Sequence, residues 1–414
     1  EIYTEDASSA ASDVYKRQLA TRVGIIGGGQ LGMLLCQAAR RLDIHTTVLT
    51  DDPTGPAVHT ADELLVAGLD DQQAVLELIS KSEVITFELE AIPDVTLDTL
   101  QQATQRGQVA VNPSVATLAR LKDKGLQKTW LSESGLPTLP FVLADETVTA
   151  GELQNGEITT PLVQKARQGG YDGKGVQILR EQDDLSKLWP VPSVIEPALH
   201  NAIEVAVVVV RDTCGNIDAY PPVTMLFDPA LNAVSTVTSP GELDSGTQER
   251  CHTIACDAVT ALGAVGVFAV ELFLTEQDEL YINEISPRVH NSGHLTIDAF
   301  EHDQFEQHIR AITGHPLAPI SPQAPAAVML NLLYDDSQAA AHTGAPYAVA
   351  LDEQEHTTLH WYGKPDARPG RKMGHITALG RSPEIALERA RDGLAYLGST
   401  DFHPPVEAKQ AAAS

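Results

Sequence analysis

Positive charge is what this sequence has least of. Its 414 residues include 28 lysines and arginines against 56 aspartates and glutamates, a formal net charge of −28. A surface of that sign repels nucleic acid and anionic lipid, so no nucleic acid and no membrane is expected as a partner. An anionic ligand would have to be met by a few cations gathered in one place. Cysteine is scarce too. Cys36, Cys214, Cys251 and Cys256 contain no C-x-x-C spacing, which disfavours both a zinc site and a disulfide scaffold. Cys251, His252 and Cys256 sit close together but lack a fourth ligand. No apolar run approaches the ~18–20 residues that cross a bilayer, so a cytoplasmic protein is expected.

Hydrophobic residues, at 43%, suffice for substantial cores, and the length suits two or three domains. The opening stretch EIYTEDASSAASDVYKRQ has neither a hydrophobic centre nor a periodicity, so residues 1 to about 20 are read as a non-native or disordered leader. RVGIIGGGQLG then reads as a buried strand and a glycine turn into a helix with apolar Leu34, Leu35, Ala38 and Leu42. Gly27, Gly29 and Gly32 match G-x-G-x-x-G, and TTVLTDD places Asp51 and Asp52 where a ribose-binding acid would sit. That motif permits close approach by some ligand without naming NAD. A helix over 72–80, a strand EVITFELE, a helix near 94–105 and a strand VAVN continue the alternation. The class is α/β, opening on a Rossmann-like, doubly wound parallel sheet. Glu88 and Glu90 end their strand on the side where such sheets bind ligands.

Arg120, Lys122, Lys124 and Lys128 form a rare basic cluster, in which Arg120 and Lys122 read as a solvated helix face. In PLVQKARQGGYDGKGV, a strand presents Lys165 and a loop from Gly169 to Gly175 leads into VQIL. Strand, glycine-rich flap and strand make a lid whose N–H groups can cradle phosphates, with Lys165 and Lys174 neutralising charge. No G-K-[ST] opens a helix there, so it is not a Walker A loop. Glu196 ends one further strand and Glu204 begins a very apolar one. In GVFAVELFLTEQDELYINEI, a hairpin turning at Gln277-Asp278 or over 276–279 brings Glu271 directly opposite Glu284. Facing carboxylates on apolar strands call for a cation, and Mg²⁺ with nucleotide phosphates is the natural occupant. NEISPRVHNSGH follows, releasing an acid, an arginine and two histidines at the strand's end.

A lid with a lysine before it, then E…N-E on the last two strands, resembles the ATP-grasp superfamily. With GGGQLG, GGYDGKG, NEISPRVHNSGH and HWYGKPDARPGRKMGH, the chain resembles the N5-carboxyaminoimidazole ribonucleotide synthase family from about Arg22 to at least residue 380. These are ATP-dependent carboxylases of 5-aminoimidazole ribonucleotide in purine biosynthesis. The resemblance implies three domains: a substrate-binding one over 21–121, an ATP-grasp one over 122–315 with its lid at about 122–190, and a small β-rich one over 322–403, before a tail at 404–414. It implies that ATP is bound by Lys124, Lys165, Gly170, Tyr171, Asp172, Gly173, Lys174, Gly175, Glu196, Pro197, Ala198, Leu199, Glu204, Asn283 and Glu284. Glu271 and Glu284 would hold Mg²⁺. Arg288, His290, Asn291, Lys364 and Arg371 would be catalytic. These five would also face the substrate, with Gln30, Leu31, Glu88, Tyr171, Asp172, Ser292 and Lys372. The first domain would bind substrate and no NAD. Bicarbonate would be activated as carboxyphosphate, and either that species or CO₂ released from it in place would meet the substrate amine, with release of ADP and phosphate. A homodimer is implied as well.

Two departures stand out. Phe227, in YPPVTMLFDPALNAV, occupies the position where the family has a histidine near ATP. Lys124 and Ala166 stand where arginine is frequent. His290 and His294 are the candidates for general base. The C-terminal strands are expected over 326–333, 357–363 and 374–380, with a helix near 383–397 and a basic RPGRK stretch suited to a ribose phosphate. Three rivals remain: another ATP-grasp ligase such as a formate-dependent glycinamide ribonucleotide transformylase, an NAD-dependent oxidoreductase, and a non-catalytic nucleotide sensor.

Overall fold

The computed structural model describes residues 19–145, 160–170, 175–334 and 356–396. The leader, the tail and lid residues Tyr171, Asp172, Gly173 and Lys174 lie outside the described residues, apart from Leu19 and Ala20.

Apolar runs too short for helices open the chain as β1 (Arg22–Ile26), β2 (His45–Thr50), β3 (Glu63–Val66), β4 (Val84–Phe87) and β5 (Ala110–Val111). They pair in parallel in the order β3-β2-β1-β4-β5. Helices α1 (Gln30–Arg41), α2 (Gln72–Lys81) and α3 (Asp94–Gln105) make the crossovers, and Asp71 caps α2 through the N–H groups of Gln73 and Ala74. Strand order reverses between β1 and β4, so the crevice past their carboxyl ends is the binding position of such a sheet. The glycine turn leaves β1 there, and Glu88 and Glu90 leave β4. The strand expected over 83–90 stops at Phe87, which frees both acids from the ladder.

Helices α4 (Val115–Leu121) and α5 (Lys124–Glu133) lead to a small antiparallel sheet. It comprises β6 (Val142–Ala144), β7 (Leu162–Ala166), β8 (Val176–Leu179) and β9 (Ser193–Pro197), in the order β6-β9-β7-β8. The glycine loop joins β7 to β8, as the lid reading requires. The rest forms one nine-stranded sheet. Its central strands are β10 (Ile203–Arg211), β11 (Ile217–Ala219), β12 (Val223–Asp228), β13 (Ala233–Ser239), β14 (Gly266–Leu274) and β15 (Leu280–Ser286). The C-terminal strands β16 (Ala326–Leu333), β17 (Thr357–Trp361) and β18 (Lys372–Gly380) join the same sheet, because β16 pairs with β13 through Thr236–Leu330 to Ser239–Ala327. Helices α6 (Ser245–Leu262), α7 (Thr296–Ala299), α8 (Gln304–Thr313) and α9 (Pro383–Tyr396) complete the described α-helices. One core joins α1 (Leu34, Leu35), β10 (Ala206, Val208), α8 (Phe305, Ile309) and C-terminal Met329 and Tyr362, so the three regions pack as a unit.

The β14–β15 hairpin departs from both expected turns. Leu274 pairs with Leu280, Thr275 N–H donates to Glu279 O at 2.9 Å, and Asp278 takes φ +62°. The turn is thus the three residues 276–278, one more than the two-residue and one fewer than the four-residue turn expected, and the pairing beyond it is shifted by one residue. A bulge after Ile282 absorbs the difference, and Glu271 still faces Glu284.

Candidate active site

Three acids converge on neighbouring strands. Glu204 begins β10, Glu271 lies on β14 opposite Ala206 of β10, and Glu284 lies opposite Glu271 on β15. Alternation would send Asn283 and Glu284 to opposite faces of β15, but the bulge lets both serve one site. Lys165 Nζ donates to Asn283 Oδ1 at 2.7 Å, and Lys124 forms an ion pair with Glu284. The Lys124 ammonium holds the Glu284 carboxyl well below the usual range, with Lys165 assisting. Burial, then the charges of Glu284 and Glu204, push Glu271 up to about 8. Burial pushes Glu204 up to about 7, against the pull of Lys165. Buried oxygen donors that cannot all ionise together fit a hard divalent cation such as Mg²⁺.

The cations come from α5 and the lid. Lys124 and Lys128 are one turn apart on α5 and point the same way. Lys128 Nζ lies 2.7 Å from Glu196 Oε2 and donates to Thr138 Oγ1 at 2.9 Å, while Lys165 pairs with the other oxygen of Glu196. Glu196 is 1% exposed, so both lysines compensate a carboxylate that water does not reach. Sequence reading passed over Lys128, although its i, i+4 spacing from Lys124 was the available signal. Asp123 caps α5 through Gly125 and Leu126 and receives Arg167 Nε and Nη2, each at 2.8 Å. That fork ties the lid's first strand to the helix bearing Lys124 and Lys128. Gly170 and Gly175 bracket the flap, where Gly175 takes φ +74° and a Cβ would lie 3.2 Å from Gly170 Cα. Pro197, Ala198 and Leu199 follow Glu196, but the Ala198 N–H is already spent on Pro161 O at 2.9 Å.

On the other side, Glu88 accepts from the Gly29 and Gly32 N–H groups at 2.5 and 2.7 Å. An internal carboxylate therefore takes the place at the α1 N-terminus where a dinucleotide's pyrophosphate would sit. Gln30 opens α1, half-buried, and the Leu31 side chain belongs to the core. Asp52 accepts from the N–H and hydroxyl of Thr54, at 2.8 and 2.6 Å, and so builds a turn instead of reading a ribose. Arg288 Nε lies 2.9 Å from Glu90 Oε1, and the acids Glu90, Glu88 and Glu284 raise its affinity for its proton. His290 Nε2 is 3.5 Å from Glu271 Oε1, and its Nδ1 is 2.9 Å from Ser292 Oγ.

Two expectations for the loop change. Asn291 is expected at the substrate, but its amide is engaged reciprocally with that of Asn331, at 2.9 and 2.8 Å. His294 is fully buried behind the loop, its Nδ1 3.2 Å from Gln304 Nε2, and burial holds it well below its usual pKa. His290 is the histidine that meets the acids. The C-terminal cations also reach the site. Lys364 donates to Lys372 O at 2.6 Å and acts on Glu88, Lys372 acts on Glu271, and Arg371 acts on Asp52. Arg371 also donates to Asp366 O at 2.6 Å.

Asp298, His360 and His375 bring donor atoms within 4.8 Å of one another. The two imidazole planes lie within 18° and stack at 4.5 Å, so their in-plane lone pairs run side by side and do not converge on one ion. Phe227 follows a bulge in β12 and packs, half-buried, against the main core. No helix among the described residues is long and apolar enough to cross a membrane.

The ATP-grasp domain model matches residues 129–305, the ribonucleotide synthetase preATP-grasp domain 20–120, and the phosphoribosylaminoimidazole carboxylase C-terminal domain 327–389. The chain is 37% identical to N5-carboxyaminoimidazole ribonucleotide synthase of Synechococcus elongatus, over 92% of this chain and 94% of the relative. It is 34% identical to phosphoribosylaminoimidazole carboxylase of Ogataea methanolica, over 93% of this chain and 70% of that protein. Among solved structures, the Thermotoga maritima N5-carboxyaminoimidazole ribonucleotide synthetase superposes with TM-score 0.80 at 37% identity, covering 91% of this chain and 98% of that one. The Aspergillus clavatus enzyme, in complex with ADP and 5-aminoimidazole ribonucleotide, superposes with TM-score 0.81 at 28% identity, covering 92% and 99%. Three domain models in order, on a fold whose lid lysine, facing acids and basic C-terminal loop meet at one crevice, leave a single conclusion: the chain belongs to the N5-carboxyaminoimidazole ribonucleotide synthase family of ATP-grasp ligases.

Proposed function

We propose that this chain carboxylates the amine of 5-aminoimidazole ribonucleotide, using bicarbonate and ATP and releasing ADP and phosphate, as a step in purine biosynthesis. The observation that carries the reading is the convergence on one crevice of the Glu204–Glu271–Glu284 set, two lid-side lysines and the cations of the C-terminal strands.

The chemistry sets the roles. Bicarbonate is a poor electrophile because its carbon carries negative charge and no leaving group. A bicarbonate oxygen attacks the γ-phosphorus, the bond to ADP breaks, and carboxyphosphate forms. The substrate amine then bonds to the carboxyl carbon as phosphate leaves. Catalysis of the first step is positioning and charge neutralisation. Lys124 and Lys165 leave Glu284 and Glu196 for phosphate oxygens, and carboxyphosphate has to be kept from water until the amine reaches it. Glu271 and Glu284 would hold Mg²⁺, with Asn283 beside them. When bound, that ion neutralises charge on the β- and γ-phosphates. For the second step Arg288 holds the reacting carboxylate, and His290 takes the amine proton. Lys364, Arg371 and Lys372 receive the ribose phosphate, and Gln30 and Glu88 bound the opposite wall. The domain limits at 21–121, 122–315 and 322–403, a cytoplasmic location and a homodimer belong to the same reading.

Phosphate release from Mg·ATP and bicarbonate, with and without 5-aminoimidazole ribonucleotide, tests it. Release should depend strongly on that nucleotide. Binding of ATP without stimulated release would assign the site another acceptor.

A further inference from the structure

Asn331 is the one polar residue in β16, whose sequence is AAVMLNLL, and it is 5% exposed. A buried amide in an apolar strand costs stability unless every polar atom is paired. Asn331 pairs them. Its Oδ1 accepts from Asn291 at 2.9 Å, and its Nδ2 donates to Asn291 Oδ1 and to Val234 O, each at 2.8 Å. A second link lies seven residues further along the chain, on α7. His360 on β17 places Nε2 2.8 Å from Asp298 Oδ2. β16 and β17 flank β18, which begins at Lys372, and the β17–β18 connection carries Lys364 and Arg371. Asn291 and Asp298 lie just past Arg288 and His290. The two links thus fasten the loop that bears one half of the carboxylation site to the strands on either side of the other half.

We propose that Asn331 and His360 are positioning residues: by clasping Asn291 and Asp298 they fix Arg288 and His290 relative to Lys364 and Lys372, and so couple phosphoryl transfer to carboxylation. The proposal rests on the carboxylase reading given above. Among the described residues no hydrogen bond or ion pair joins Asn331 or His360 to Lys124, Lys165 or Glu284, so the lysines that would meet the nucleotide are held without the clasp. Loosening the clasp leaves ATP cleavage in place and lets the activated carboxyl group be lost to water.

The test compares the full chain with Asn331→Leu and His360→Gln. Phosphate released is measured against carboxylated product, and amide hydrogen exchange is followed over residues 288–298. Each variant should cut carboxylation at least tenfold and raise phosphate released per product several-fold. The KM for ATP should stay within about twofold, and exchange of the loop should speed up. A parallel fall in phosphate release and product, with their ratio unchanged, would mean ordinary structural damage and overturn the proposal. So would unaltered exchange of the loop. If Asn331→Leu does not fold, His360→Gln decides on the same two readouts. If the unaltered chain shows no stimulation by 5-aminoimidazole ribonucleotide, the carboxylase reading fails, and the clasp is still judged by exchange.

Discussion

Glu196 carries the sharpest local demand in the molecule, one buried carboxylate with an ammonium on each oxygen. On the proposed reading, in which Lys165 moves to phosphate, Lys128 is the charge that remains to compensate Glu196. Removing one partner of a buried ion pair costs about 3–5 kcal/mol. Lys128→Met is therefore expected to lower the melting temperature and to raise the KM for ATP at least tenfold, as calorimetry and initial rates would show. A KM left unchanged would make Lys128 a packing residue. The facing acids give a second expectation. Glu284→Gln or Glu271→Gln should reduce Mg·ATP-dependent turnover by about 10²-fold or more, the scale for losing one electrostatic stabiliser. Circular dichroism should stay unchanged. Activity retained by either variant would remove the metal assignment.

At the scale of elements, α8 joins the first sheet to the large one through His308. Its Nε2 is 2.8 Å from Thr86 Oγ1 on β4, and its Nδ1 accepts from Val267 N–H on β14 at 3.0 Å. Burial pushes this histidine down to about 3, whereas an unfolded histidine titrates near 6.5. Between those values the unfolded chain binds the proton that the folded one refuses, so stability falls as pH drops from about 6.5 towards 3. The slope from this group approaches about 1.4 kcal/mol per pH unit. In His308→Gln, denaturant titrations from pH 7 to pH 4 should show a shallower acid loss. An unchanged slope would place the acid sensitivity elsewhere. Elements of this kind also mark how far the sequence could be read. Repeated short apolar runs and helical spacing carried the parallel sheet, the lid and most strand bounds, and like charges on two apolar strands carried the Glu271–Glu284 pairing. The bulge at Asn283 was not legible, because a one-residue slip and a one-residue turn change cancel in the pairing. Nor was the embrace of Asn291 by Asn331, since nothing in either segment indicates that residues forty apart would meet amide to amide. Lys128 was given no role: Arg120 and Lys122 read as a solvated helix face and Lys124 as a nucleotide ligand, and nothing in the sequence showed that Lys128 would meet Glu196.

Over the whole molecule, a net charge of −28 opposes the approach of ATP and of a nucleotide monophosphate. Salt screens that long-range field beyond a Debye length of about 8 Å at 0.15 M, while buried pairs are screened far less. kcat/KM for 5-aminoimidazole ribonucleotide is expected to rise about twofold or more between 10 and 150 mM salt, at fixed free Mg²⁺ and saturating ATP. A fall would show that the clustered cations govern encounter. The large sheet raises a different matter. Domain models cut the chain between residues 305 and 327, yet β13 and β16 are hydrogen-bonded neighbours across that cut. A chain ended before Ala326 would expose the Thr236–Ser239 edge of β13, an open template for other strands, and should precipitate on light scattering. In evolutionary terms the C-terminal piece is no exchangeable cassette. Recombination at that boundary severs a sheet, so the C-terminal strands can be inherited only together with the strand they complete.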